Sequence, residues 1–222
     1  MHSHILPGID DGAKTLEESV SLVLRLKQLG YSKLIASPHI MGDYYRNTPY
    51  TINKALQQLQ EELNRRNINI EIQAAAEYYL DEFFETNLSK NNVLTFSGYL
   101  LFELSYINTP HNLKEIVSEI RDKGYSPVLA HPERYPYYHN TLDFYEEIKS
   151  WGCQLQLNTI SLTGYYGKNI QKTADNLIAR GLIDFIGTDA HHHRHLDALE
   201  KSLTSPRLRS LIAEEKLLNK VL

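Results

Sequence analysis

Hydrophobic positions along the chain alternate between two periods. Leu22, Leu26 and Leu29 keep helical spacing up to Gly30, and Thr15 and Glu18 stand in front of them as a capping box. The apolar run Lys33-Leu34-Ile35-Ala36-Ser37 then reads as a buried strand. A loop rich in Gly, Tyr and Asn leads to a helix over about 51–66. Strands are predicted over 69–75, 99–104, 126–130, 153–157 and 184–187, with helices in the gaps. Thr109-Pro110 opens one helix with Pro at its first position, and Gly124 closes it. Residues 140–151 and 168–180 make two more, ended by Gly152 and Gly181, and the chain is amphipathic and helical from Leu196 onward. Strand–helix alternation implies a parallel sheet. With a stub at Met1-His2 the strands number seven, which predicts a closed or nearly closed barrel, an open doubly wound sheet being the alternative. No low-complexity linker interrupts the 222 residues, which read as a single domain, 1–222.

Composition narrows the classes of function. The formal net charge is −4 with both signs interspersed, so no basic stripe points to nucleic acid. Cys153 is the only cysteine, which rules out an intramolecular disulfide and fits a reducing compartment. No apolar run approaches the roughly 18–20 residues that span a bilayer. Met1-His2-Ser3-His4 lacks the basic-then-apolar order of a signal peptide. A cytoplasmic protein without membrane insertion is expected. The unusual counts are ten histidines and fifteen tyrosines.

Polar residues gather where strands end. His39, Glu77, Glu103, His131, Asn158 and Asp189 each follow a predicted strand, and in a parallel barrel those ends share one face. His2 and His4 start the chain beside that rim, with Asp11 in the next loop. On extended backbone, His2-x-His4 and Asp189-x-His191 each aim two side chains the same way. A lone His-x-His is weak, and a lone strand-end Glu is ordinarily a cap or an ion-pair partner. Five potential ligands at five strand ends are harder to explain as structure, because buried charge needs a partner or a metal. Such a set suits Zn, Mn or Fe, and two ions roughly 3.5–4 Å apart clamp a phosphoryl group. Rival chemistries find no support. The residue six after Cys153 is Thr159 where a cysteine phosphatase needs Arg, so Cys153 reads as a buried apolar residue. Neither a Gly-Lys-Ser/Thr phosphate loop nor a Gly-x-Ser-x-Gly elbow occurs.

Taken in order, six stretches resemble one family: the segment His2 to Gly12, Ser37-Pro38-His39, Ala75-Ala76-Glu77-Tyr78, Phe102-Glu103-Leu104, His131-Pro132-Glu133-Arg134 and Thr188-Asp189-Ala190-His191. They are similar to the manganese-dependent protein-tyrosine phosphatases of bacterial capsule and exopolysaccharide systems. These belong to the polymerase-and-histidinol-phosphatase (PHP) superfamily, whose fold is a distorted seven-stranded (β/α)7 TIM-like barrel. The resemblance implies two or three ions, manganese preferred and iron or zinc compatible. One would be held by His2, His4, Glu77 and Asp189. A second would take Glu77, Glu103 and His131, and a third Asp11, His39 and His191. Arg134 and Arg194 resemble the phosphate-contacting arginines, and Asp11 and His39 are counted with them as catalytic. A water activated by the ions would attack phosphorus, and the partner would be the phosphotyrosine-bearing tail of a bacterial tyrosine autokinase. The alternatives are a histidinol-phosphate or other small phosphomonoester phosphatase, and a non-catalytic metal-binding module that docks a kinase. Tyr44, Tyr45, Tyr78, Tyr79, Tyr135, Tyr137 and Tyr138 either stack on the substrate ring or pack rim loops. His192, His193 and His195 read as solvated loop residues. Oligomeric state is left open.

Overall fold

A computed structural model describes all residues from Met1 to Leu222. They form two compact units, 1–96 with 188–197, and 97–187 with 198–222.

In the first unit, α1 (Leu16–Gln28) begins where Thr15 accepts a hydrogen bond from the Glu18 amide at 3.2 Å. The reciprocal half of the expected capping box lands one residue early, since the Glu18 carboxylate accepts from the Lys14 amide instead. A complete capping box occurs on α2 (Pro49–Arg65), between Thr48 and Thr51. That helix therefore starts two residues before the expected position, on the preset backbone of Pro49. Strand β1 (Lys33–Ala36) pairs in parallel with β3 (Glu71–Ala74). Two short strands not foreseen from the sequence follow these: β2 (His39–Ile40) and β4 (Glu77–Tyr79), also parallel. Their register sets His39 directly beside Glu77. Helix α3 (Glu82–Ser89) is capped by Asp81, whose carboxylate accepts from the Phe84 amide.

The second unit carries four parallel strands in sequence order: β5 (Tyr99–Glu103), β6 (Ser126–Ala130), β7 (Gln154–Asn158) and β8 (Phe185–Gly187). Their apolar positions are almost wholly buried, as expected of strands covered on both faces. Helices α4 (Leu113–Asp122), α5 (Asp143–Ser150) and α6 (Lys168–Ala179) make the crossovers. Helix α4 starts at Leu113, after Asn112, so Pro110 lies ahead of it rather than at its first position. Helix α7 (His193–Ser202) crosses the boundary between the units. Ser205 and Pro206 then open a separate helix, α8 (Pro206–Ala213), where one continuous helix was expected.

The sheets are open. The expected closed seven-stranded barrel therefore holds only in its parallel α/β character. The stub expected at Met1-His2 is not a strand, because His2 adopts a left-handed φ of 60° and only a single bridge, Ser3 to Ala190, forms there.

Candidate metal centre

In the first unit, main-chain bonds tie the start of the chain to residues 188–190. The Asp189 amide donates to the His2 carbonyl at 2.9 Å, the Thr188 hydroxyl donates to the same oxygen at 2.8 Å, and the His4 amide donates to the Ala190 carbonyl at 2.9 Å. The next turn folds back so tightly that a Cβ on Gly12 would stand 2.0 Å from the His4 carbonyl oxygen. His2 and Asp189, at φ 60° and 48°, are both left-handed, a conformation that non-glycine residues hold at some energetic cost. The two ends of His2-x-His4 therefore converge through a turn at His2, not through the alternation of an extended strand.

Four buried side chains meet at one point. His2 Nε2 lies 3.4 Å from His4 Nε2, 3.2 Å from Glu77 Oε2 and 3.3 Å from Asp189 Oδ1. His4 Nε2 lies 3.3 Å from Glu77 Oε2 and 3.4 Å from Asp189 Oδ1. These separations exceed those of charge-assisted hydrogen bonds, about 2.7–2.9 Å. Nearly equal edges instead place one point about 2 Å from every donor, the bond length of a first-row divalent ion to nitrogen or oxygen. The residues present thus fit a metal. A second set adjoins the first: Asp11 Oδ1 is 3.5 Å from His39 Nε2 and 3.3 Å from His191 Nε2. Asp11 is half-exposed, so this set opens to solvent.

Neighbouring contacts settle which ring nitrogen faces each centre. His4 Nδ1 lies 2.7 Å from Asp10 Oδ2, and His191 Nδ1 lies 2.9 Å from the Asp189 carbonyl, which leaves each Nε2 lone pair for a metal. Asp10 also accepts from the Gly12 amide at 2.9 Å and the His39 amide at 3.2 Å, so one carboxylate braces both sets. Sequence reasoning missed Asp10; the only signal was the doublet Asp10-Asp11, of which it took the second member. Burial alone would keep the His4 ring neutral, yet Asp10, Asp189 and Glu77 together raise its pKa well above the ordinary value. Burial works likewise against charge on His2, and Glu77 and Asp189 reverse it. Burial pushes Asp11 up, but His191, His39 and His4 hold it well below the carboxylate range.

In the second unit, register pairs Phe102 with Leu129, so Glu103 and His131 leave neighbouring strand ends. Both are buried, with His131 Nε2 3.7 Å from Glu103 Oε2. His131 is left-handed (φ 34°) and opens a 3-10 turn, Pro132–Arg134. Pro132 thus lies in a turned segment. Arg134 is set against two rings, its guanidinium carbon 5.0 Å from the Tyr106 centroid and 4.5 Å from that of Tyr166. Neither tyrosine was singled out from the sequence. Glu133, also missed, is fully buried: Oε1 accepts from the Asn158 amide at 3.0 Å and the Ser161 hydroxyl at 2.7 Å.

The remaining expectations divide. Arg194 and His193 are exposed on the first turn of α7, and His192, just ahead of it, is exposed as well. His195 is buried, not solvated: its Nδ1 lies 3.0 Å from the Asp189 carbonyl, and burial lowers its pKa to about 4. Cys153 is buried and burial pushes its thiol up, as an inert core residue requires. Tyr78, Tyr135 and Tyr137 spend their hydroxyls on main-chain groups, and Tyr138 stacks on Phe144 at 3.8 Å, so these pack loops. Tyr44 is exposed, and Tyr45 stacks over His39 at 5.8 Å. No helix is long and apolar enough to cross a membrane.

Comparison with known proteins points the same way as this geometry. The chain is 29% identical over 194 residues to the tyrosine-protein phosphatase YwqE of Bacillus subtilis, covering 86% of this chain and 76% of that protein. It is 26% identical over 217 residues to the putative tyrosine-protein phosphatase CapC of Staphylococcus aureus, covering 97% and 85%. A solved structure from work on YwqE of Bacillus subtilis and CpsB of Streptococcus pneumoniae, described as metal-dependent tyrosine phosphatases, matches with a TM-score of 0.81 at 29% identity, covering 98% and 93%. The lactonase Lmo2620 of Listeria monocytogenes shares the fold alone, with a TM-score of 0.56 at 13% identity over 97% and 87%. A family model for capsular polysaccharide synthesis, CpsB/CapC, matches residues 1–204, and the chain belongs to that family.

Proposed function

We propose that this chain is a metal-dependent phosphatase that hydrolyses phosphotyrosine on a protein, within bacterial capsule or exopolysaccharide synthesis. The observation that carries the reading is the buried set of His2, His4, Glu77 and Asp189, whose near-equal spacing suits one divalent ion. The names of the relatives support the substrate class.

His2, His4, Glu77 and Asp189 hold one ion; Asp11, His39 and His191 hold another on the solvent side; Glu103 and His131 are donors for a third. The carboxylate share of these donors favours manganese, with iron and zinc compatible. When bound, such ions lower the pKa of water and offset phosphoryl charge. Asp10 fixes the His4 ring so that Nε2 points inward. Arg134 offers a planar fork that grips two phosphate oxygens, which stabilises charge as the ester bond breaks. Arg194, exposed nearby in sequence, is a second contact for phosphate. Cys153 is buried, so no phosphocysteine forms. The substrate is the phosphotyrosine-rich tail of a tyrosine kinase, met in the cytoplasm.

The deciding experiment is phosphate release by the metal-reconstituted chain from phosphotyrosyl peptide, phosphoseryl peptide and histidinol phosphate. Preference for the phosphotyrosyl peptide, abolished by chelation, is expected. Equal rates on both peptides would leave a general phosphoesterase, preference for histidinol phosphate would favour that alternative, and activity surviving exhaustive chelation would end the metal reading.

A further inference from the structure

Arg134 follows β6, the middle one of three neighbouring strands. The flanking strands supply the two rings. Tyr106 comes three residues after β5, and Tyr166 follows the 3-10 turn Thr159–Thr163 that leaves β7. Gly164, at φ 75°, makes the left-handed turn that brings Tyr166 back. The arginine's own backbone is held separately. Its amide donates to the His131 carbonyl at 2.9 Å, while neighbouring Glu133 is anchored through its carboxylate to β7 and through its carbonyl to His139 Nε2 at 2.9 Å. Backbone anchoring alone leaves several side-chain torsions to be fixed, and contact of the guanidinium with two rings, at 5.0 and 4.5 Å, restricts them.

We infer that Tyr106 and Tyr166 are positioning residues that set the plane of the Arg134 guanidinium for phosphate; this rests on the phosphatase reading above. Both rings attract the cation, and two such contacts limit the orientations of its fork, which can then meet two phosphate oxygens. Tyr106 also lies nearly parallel to the His131 ring, at 6.0 Å and 20°, so it fixes the fork relative to a candidate ligand. Nothing in the residue types gives the tyrosines a chemical step of their own. They act through the arginine.

The test uses the full, metal-loaded chain. Tyr106→Leu and Tyr166→Leu should each lower kcat/KM for a phosphotyrosyl peptide roughly 5- to 10-fold, the range expected for losing a partly desolvated ring beneath a cation. Each should weaken inhibition by inorganic phosphate by a similar factor, with metal content unchanged. Tyr106→Phe and Tyr166→Phe keep the ring face and should stay within about 2-fold of wild type. In an Arg134→Ala background the Leu substitutions should have no further effect, because the group they position is gone. If a Leu variant does not fold, Tyr166→Gln, which keeps bulk but offers no ring, replaces it in the same cycle. Leu variants with wild-type kinetics and phosphate inhibition would overturn the inference, and so would the same loss in the Arg134→Ala background. A wild-type chain that hydrolyses no phosphoester would instead remove the phosphatase reading itself, and the inference with it.

Discussion

Glu77 in the first unit and Glu133 in the second are buried to the same degree, but their surroundings differ in kind. Glu77 Oε2 has three imidazole nitrogens around it, from His2, His4 and His39, at 3.2–3.3 Å. Glu133 Oε1 instead accepts from the Asn158 amide and the Ser161 hydroxyl at 3.0 and 2.7 Å. In the second arrangement one carboxylate oxygen is held at ordinary hydrogen-bond lengths. In the first, carboxylates and imidazoles crowd together at separations longer than the usual charge-assisted hydrogen bond. Burial alone does not tell these two carboxylates apart. What differs is the kind of group around each, imidazole nitrogens at Glu77 and an amide and a hydroxyl at Glu133.

Glu77→Gln gives the largest effect and would break the comparison most directly. It should remove bound metal, as read by elemental analysis, and lower phosphatase activity by more than about 100-fold, beyond the usual upper range for losing a partner one layer further out. A variant with full metal content would show that Glu77 is no ligand.

Asp10→Asn sharpens the same comparison from outside the cluster. It removes the carboxylate that holds His4 Nδ1 and the His39 amide, so metal affinity should fall roughly 10- to 100-fold. Direct titration of the metal-free chain with manganese checks this, and unchanged affinity would assign Asp10 to loop structure only.

The smallest effect belongs to Glu133→Gln, which should leave metal content alone. Burial raises the Glu133 pKa above its ordinary 4.5, with Ser161 only partly opposing. A carboxyl raised on folding lends stability below its unfolded value and loses it as pH climbs through the folded value. Wild type should therefore lose Tm relative to Glu133→Gln from about pH 4.5 upward. Each kcal/mol amounts to about 2–4 °C for a chain of this size. A Tm difference that does not change with pH would mean the carboxyl is not raised.

The candidate set was legible in the sequence because strand ends of a parallel sheet expose polar residues at fixed places, and His39, Glu77, Glu103, His131 and Asp189 fall at or just beyond such ends. Their exact settings were not. His39 and Glu77 begin second, two- and three-residue strands, too short to leave a periodic pattern. The turns at His2, His131 and Asp189 are left-handed at residues whose types do not announce it, so side chains expected to align by strand alternation come together through turns instead. Glu133 was passed over because a charged residue beside Arg134 reads as its surface partner, while the fold turns it inward to Ser161. Tyr106 and Tyr166 come together only through the order of β5, β6 and β7, which no local spacing encodes.

The hydrogen bonds that join His2 and His4 to residues 188–190 also set a timetable. At ribosomal speeds of about 5–20 residues per second, roughly 10–40 s pass between synthesis of His2 and His4 and of Asp189. During that interval the emerging chain carries two imidazoles without the acid that completes their set. Such a half-site discriminates poorly, because bare imidazoles follow the general affinity order and favour copper and zinc over manganese. On the proposed reading, selection of the ion would therefore belong to the finished protein, and the composition of the metal pool it meets after release would decide which ion it keeps.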